Sequence, residues 1–494
     1  MPDHKEDDRQ AVTSIRVLSV TSEAVPLIKT GGLADVAGAL PGAVEPRGVV
    51  MTTLLPGYPA VMQAVTKGRT IHRFEDLLGE PARLVSCRIG GNRFLILDAP
   101  AYFSREGSPY ADPSGRDWPD NWRRFAALGR AAADLAGGGI KWHKFDVIHA
   151  HDWQAAMALA YLRHSPPQGG KIIPSVMTIH NMAFQGHFPA AVFPRLGMPD
   201  SAWAIHGVEY HGGVGFLKAG LEAANAITTV SPSYAREIRT SEFGMGLEGL
   251  IVSRSDKVSG ILNGIDTGIW NPDRDPELAR TYTARTLSQR STNKRALEAE
   301  FELEPSDGPL FVAISRLTWQ KGMDVLLEVI DHMVGIGCTL AVLGSGDPAI
   351  EAGLHEAASR HPGRIGVRIG YDEPLAHRMQ AGGDAILVPS RFEPCGLTQL
   401  YGLAYGCIPV VARTGGLADT VIDANVAALA AQVATGIQFD DVSYRALASA
   451  IDRTVALFAE QRTWRKLQRN AMACDFSWSS SGKTYAQLYE DLLQ

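Results

Sequence analysis

The chain is predicted to be an α/β protein made of two parallel-sheet halves, and two observations predict it. Apolar runs of strand length alternate with amphipathic helical patterns along its 494 residues. Such alternation builds parallel sheets with helices on both faces. In addition, Lys29-Thr30-Gly31-Gly32-Leu33-Ala34-Asp35 returns as Arg413-Thr414-Gly415-Gly416-Leu417-Ala418-Asp419, 384 positions later (413 minus 29). Each copy follows a strand-like run, at 15–20 and 408–412, and opens a helix-like run, at 33–40 and from 417 onward. Strand, glycine turn and helix together point backbone N–H groups at an anion.

The first half begins with the strand at 15–20. Residues 83–98 read as an antiparallel interruption, with Gly90-Gly91-Asn92 as its hairpin turn. A strand at 146–150 precedes a helix at 153–163, and a strand at 175–179 runs into a loop. The Gly/Asn/Pro-rich stretch from 262–266 through Asn271-Pro272 is the hinge candidate. A charged helical segment at 293–302 follows. The second half then pairs 310–315 with a helix at 323–334, 339–343 with 350–360, and 385–389 with 397–405. Helical pattern returns at 444–458 and 462–472, and 481–493 has the character of a segment folding back on the first half. The expected domains are 12–260, 266–475 and a C-terminal helix within 476–494 packed on the first.

Composition excludes several classes. Hydrophobic residues make up 45% and charged residues 20%, ordinary for a globular enzyme. A net charge of −6 gives no polyanion-binding face, so no nucleic-acid partner is expected. No apolar run approaches the roughly 20 residues of a membrane span. Residues 1–10 are charged, lack the apolar core of a secretory signal, and read as a tail. The five cysteines are scattered without a C-x-x-C pair, which predicts a reduced, cytosolic protein.

Ligands of open α/β sheets sit at the carboxyl ends of strands, so polar residues just after strands carry most weight. Lys29 before the first glycine pair adds a point charge for phosphate. The second copy stays open between an anion site and a packing turn. His149-Ala150-His151-Asp152-Trp153 offers two histidines and an acid, but no third ligand motif matches them. Asp152 reads as a helix N-cap, or, with Trp153, as a carboxylate and ring face for a sugar. His180-Asn181 ends the next strand, and Asn263-Gly264 another. Arg316 and Lys321 place two cations on one loop, ahead of Gly322, without an obvious acidic partner, which suits a diphosphate. In Glu393-Pro394-Cys395-Gly396-Leu397-Thr398 the turn residues leave the N–H groups of Gly396, Leu397 and Thr398 for phosphate, and Glu393 for sugar hydroxyls. Gly344-Ser345-Gly346-Asp347-Pro348-Ala349 matches a weak dinucleotide fingerprint, with an acid where pyrophosphate would lie, so NAD is a poor alternative.

With these motifs in hand, the chain resembles bacterial glycogen synthases and plant starch synthases, over about residues 15–493. Lys-Thr-Gly-Gly-Leu-Ala-Asp, His-Ala-His-Asp-Trp, Ser-Arg-Leu-Thr-x-Gln-Lys-Gly and Glu-Pro-Cys-Gly-Leu-Thr-Gln-Leu-Tyr-Gly carry the resemblance. It implies the GT-B fold, two Rossmann-like domains facing a central cleft, with the C-terminal helix returning to the N-domain. It implies retaining transfer of glucose from ADP-glucose to the nonreducing 4-OH of an α-1,4-glucan such as glycogen. It assigns His180, Arg316, Lys321 and Glu393 to catalysis. Lys29, Gly32, Asp35, Asn263, Tyr371, Cys395, Gly396, Leu397 and Thr398 would bind the donor, with Tyr371 near adenine. Asp152, Trp153 and Asn181 would line the acceptor side, and the His180 carbonyl would lie near the anomeric carbon. No metal or other cofactor is implied.

Two departures bear on that reading. Many retaining relatives carry a second glutamate eight residues after the first, where this chain has Tyr401, and some carry a tyrosine where Phe103 stands. The competing readings are a UDP-glucose-dependent transferase and a silent glucan-binding protein; the full set of Lys29, Arg316, Lys321 and Glu393 weighs against the second.

Overall fold

The computed structural model describes residues 14–494. The charged stretch 1–10 lies outside the described residues. The chain forms two compact units. The first runs up to Thr229 and takes in Ile238–Ile261 and Trp478–Gln494; the second takes Val230–Glu237 and Leu262–Ser477. Among the described residues no helix is long and apolar enough to cross a membrane.

The first unit is built on a nine-stranded sheet. Its central strand, Ile15–Val20, lies between Val49–Pro56 on one side and Val147–His151 on the other, both parallel to it. The sheet is parallel except at one edge, where Ala82–Ile89 pairs antiparallel with Asn92–Asp98 through the Gly90-Gly91 turn. Both of those glycines have positive φ, which a turn this tight requires. The helix opened by the first glycine pair, Gly32–Val44, is longer than its sequence pattern because Leu40, Pro41 and Val44 bury their side chains. The C-terminal helix Trp478–Asp491 completes this unit, seating Tyr485, Ala486 and Tyr489 against Val17, Leu40, Val44, Val147 and Val176.

The second unit holds a six-stranded, wholly parallel sheet. Leu310–Ile314 lies between Thr339–Gly344 and Ala385–Val388. Its strands are almost continuously buried, as expected when helices cover both faces. In each unit the chain leaves the central strand in opposite directions, which opens a crevice at the carboxyl ends there. In the first unit that point carries residues 21–23 and 151–152, and in the second 315–322 and 389–393.

Candidate active site

In the second unit, two loops at the crevice are strapped together. Gly322 has φ +68°, and a Cβ there would stand 1.9 Å from the Pro389 carbonyl oxygen, so only glycine fits. The Arg391 amide donates to Gln320 O at 2.9 Å, and the Arg391 guanidinium grips Asp324 with two bonds of 2.7 Å. This framework places Lys321 Nζ 2.5 Å from Glu393 Oε2, which also accepts Ser390 Oγ at 2.8 Å. Lys321 therefore has an acidic partner, contrary to the sequence expectation; a separation of 72 residues hid it. Among the described residues, the Arg316 guanidinium meets only the Gln320 side-chain oxygen, at 3.3 Å.

Beyond Glu393 the chain turns through Gly396, at φ +73°, into the helix Thr398–Tyr405. Among the described residues, the N–H groups of Gly396, Leu397 and Thr398 donate no hydrogen bond. They form an anion cradle at a helix N-terminus. Beside it, the buried Cys395 thiol is pushed up to about 12 by desolvation and stays neutral, accepting a bond from the Asn263 N–H. Asn263 is itself buried, and its side-chain oxygen accepts no hydrogen bond among the described residues. A buried acceptor left open in this way has capacity to take a hydrogen bond from a ligand or a water. Tyr371 stands on the loop after Ile365–Ile369, 78% exposed, with its hydroxyl on Glu373 at 2.6 Å.

In the first unit, the Lys29–Gly32 turn is held from below. Glu23, which is 2% exposed, accepts Thr30 Oγ1 at 2.6 Å, the Thr30 and Gly31 amides, and the Tyr110 hydroxyl. The amides of Gly32 and Leu33 donate no hydrogen bond among the described residues, and nothing lies within 4 Å of a Cβ built at Gly31 or Gly32. Lys29 Nζ pairs with Asp35 at 2.8 Å across the mouth of this turn.

The second copy repeats the first copy's wiring but closes the cradle. Glu237 accepts Thr414 Oγ1 at 3.3 Å and the Gly415 amide at 2.7 Å, as Glu23 does for Thr30 and Gly31. The Gly416 amide, however, is spent on the Glu393 carbonyl at 3.0 Å, and Asp419 accepts the Ser233 amide and hydroxyl. A Cβ at Gly416 would lie 2.1 Å from Cys395 O. These glycines let the turn press against the 393–395 loop. Gly416→Ala is expected to cost about 1–3 kcal/mol or more in stability, read by denaturant titration. Gly31→Ala should leave stability within about 0.5 kcal/mol and raise the donor KM, because its methyl fills an open cradle. Equal stability losses at the two positions would refute this division of roles.

The histidine cluster is wired for position. His149 meets Tyr489 OH at 2.8 Å and Thr178 Oγ1 at 2.6 Å; His151 meets Ser19 Oγ at 3.2 Å and His180 Nε2 at 3.1 Å. Both ring nitrogens of His149 and of His151 are thus committed to hydrogen bonds. Burial pushes His149 and His180 down to about 3, and His151 well below its usual value, so all three are neutral near pH 7. Asp152 is no helix N-cap. It lies inside the first turn of Asp152–His164 at φ +55°, and its Oδ1 accepts the His180 amide at 2.7 Å. Desolvation raises Asp152 to about 7, opposed by the bonds it takes from the His180 and Asn181 amides. Because the 180–181 peptide N–H turns toward Asp152, the His180 carbonyl points away from it. Asn181 Oδ1 accepts the Ala183 amide at 3.0 Å.

Trp153 departs from expectation. Only 8% exposed, it meets Phe125, Phe188 and Phe216 at centroid distances of 5.0, 5.8 and 6.3 Å, and Gly186 backs onto its ring. Its faces are occupied by packing and offer no platform for a pyranose. Phe103 is likewise buried, between Tyr58 and Phe125. The weak dinucleotide fingerprint is also structural. Gly344 and Gly346 admit the carbonyls of Ser315 and Leu317, while Asp347 and Glu351 take the local amides that a phosphate would need.

Comparison with known proteins fits this geometry. Residues 16–253 match the family model described as the starch synthase catalytic domain, and residues 294–471 that of glycosyl transferases group 1. A glycogen synthase from Novosphingobium aromaticivorans is 71% identical over 480 residues, covering 97% of this chain and 99% of that one. The chain belongs to the glycogen and starch synthase family. A glycogen synthase from Rhizobium rhizogenes is 55% identical over the same share of each chain. Among solved structures, the catalytic domain of starch synthase IV from Arabidopsis thaliana, bound to ADP and acarbose, superposes with a TM-score of 0.84 at 30% identity, covering 97% of this chain and 99% of that one. A sucrose-phosphate synthase from Thermosynechococcus elongatus, with a TM-score of 0.59 at 16% identity and coverage of 97% and 99%, shares the fold. This synthase is thus a GT-B glucosyltransferase that takes a nucleotide sugar and a glucan. Sequence reasoning missed Glu23, Ser390 and Glu237. Glu23 had a signal, a polar triplet directly after the first strand, whereas the other two are recognisable only by what they touch.

Proposed function

We propose that the donor is ADP-glucose and that glucose passes, with retention, to the nonreducing 4-OH of an α-1,4-glucan such as glycogen. The observation that carries this reading is the crevice of the second unit. There the loop bearing Arg316 and Lys321 is tied through Lys321 to Glu393, which precedes the three amides that donate no hydrogen bond among the described residues, and the Asn263 N–H reaches the adjacent Cys395. The diphosphate would lie on these donors. Glu393 would accept glucose hydroxyls while keeping Lys321 in place.

In the proposed step the C1–O bond to the diphosphate breaks and the bond from C1 to the acceptor O4 forms on the same face. The acceptor proton passes to the departing diphosphate oxygen. The cations stabilise the charge that develops there, which is where preorganised charge accelerates a reaction most. The His180 carbonyl, aimed by Asp152, would face the electron-poor anomeric carbon. Donor choice is supported by the ADP held in the Arabidopsis structure. A cytosolic site of action is supported by five free cysteines. Labelled glucose should enter glycogen from ADP-glucose and far more slowly from UDP-glucose. Equal incorporation from both donors would refute the donor assignment, and none from either would refute the reaction.

A further inference from the structure

Tyr401 follows Glu393 by eight positions (401 minus 393) on the helix that supplies the anion cradle. Its ring is stacked on Trp270, with centroids 3.6 Å apart and planes at 12°. The other face of Trp270 is stacked on His377, at 3.7 Å and 17°. His377 Nδ1 meets Asp275 Oδ2 at 2.6 Å, and the same oxygen accepts the Tyr405 hydroxyl. Asp275, His377 and Tyr405 are all buried. The column therefore joins three segments: the crossover at 262–275, the helix Glu373–Gly382 and the helix Thr398–Tyr405.

Two of those segments carry proposed donor contacts. Asn263 lies seven residues before Trp270 (270 minus 263), and the amides of 396–398 open the helix that bears Tyr401. Gln380 Nε2 also binds the Thr398 carbonyl, at 3.1 Å. The helix also buries Leu400 and Leu403 in the core of the unit, and Leu400 and Ala404 border a cavity of about 290 Å³ that Trp270 lines as well. The stack adds a constraint of its own, since aromatic rings at van der Waals distance fix separation and tilt together.

We propose that Tyr401, Trp270 and His377 are positioning residues for the donor. They hold the helix Thr398–Tyr405 against the 262–275 crossover so that its amides and Asn263 address one ligand. A glutamate at 401 would break the stack, and here the ring itself is what the site uses. The inference rests on the donor reading above. ADP affinity, read by calorimetry without turnover, separates the two: a wild type that binds ADP but transfers no glucose refutes the reaction and leaves the column standing.

The test compares Tyr401→Phe, Tyr401→Leu and Trp270→Leu for ADP affinity, for kcat and for both KM values, with thermal melts to confirm folding. Tyr401→Phe should stay within about twofold of wild type. Tyr401→Leu should weaken ADP about tenfold and lower kcat about tenfold or more, as displacement of a ligand-holding element by about 1 Å does. The KM for glycogen should not move. Trp270→Leu, which removes the middle ring, should show the same pattern in a folded protein. Native ADP affinity in both leucine variants would overturn the proposal. So would a Phe variant as weak as the Leu variant, or a leucine variant whose glycogen KM rises in step with its loss of ADP binding.

Discussion

Lys321→Ala is expected to lower kcat by about 10²–10³ while the protein still folds and binds glycogen. Lys321 sits 2.5 Å from Glu393 on a loop that Gly322 and Arg391 lock in place, so its charge is preorganised. The diphosphate gains charge as it departs, and a cation fixed beforehand stabilises that state more than the ground state. The substitution has a second consequence, because Glu393 is largely buried and its carboxylate would keep, among the described residues, only the Ser390 hydroxyl as a partner. An uncompensated buried carboxylate destabilises, so Lys321→Ala should also melt earlier. The double variant Lys321→Ala, Glu393→Gln separates the effects: stability should recover while kcat stays low. A folded Lys321→Ala enzyme with near-normal kcat would refute the assignment, as would recovery of kcat in the double variant.

Asp152→Ala should lower kcat by about 10²-fold if the His180 carbonyl serves the reacting carbon as proposed, since it removes the acceptor that orients the His180 and Asn181 peptide groups. The same carboxylate predicts a pH dependence. Asp152 is raised to about 7 by burial, with the His180 and Asn181 amides and the nearby Glu23 as the other contributors. The neighbouring His180 and His149, pushed down to about 3, add no charge in this range. As pH falls through about 7 the carboxylate gains a proton and its hold on the two amides weakens, so kcat should show an acid limb there. Stability runs the other way. A folded-state value above the unfolded one means that the protonated form favours folding; the stability it contributes is complete below the unfolded value and is lost as pH rises through about 7. Asp152→Asn should flatten the kcat profile at its acid-side level and lose the matching slope in melting temperature. An acid limb that survives in Asp152→Asn would assign it to another group.

The sequence by itself determined the elements and the turn geometry of the loops. The alternation of strand and helix patterns, the Gly90-Gly91 hairpin, the paired Thr-Gly-Gly turns and the anion cradle at 396–398 were legible because each depends on neighbours a few positions away. Side-chain periodicity, turn geometry and orphan amides are local properties. Tertiary structure alone decided which groups face one another. It gave Lys321 its partner in Glu393, turned Asp152 from a cap into the clamp of His180 and Asn181, and enclosed Trp153 in phenylalanines. It also settled the two glycine turns differently, although their sequences are nearly the same. Gly31 and Gly32 face open space, whereas Gly415 and Gly416 face the carbonyls of Glu393 and Cys395. The reason is physical: an amide becomes a binding group only if no other part of the chain reaches it first. That depends on how segments hundreds of residues apart are brought together, and no local pattern encodes it.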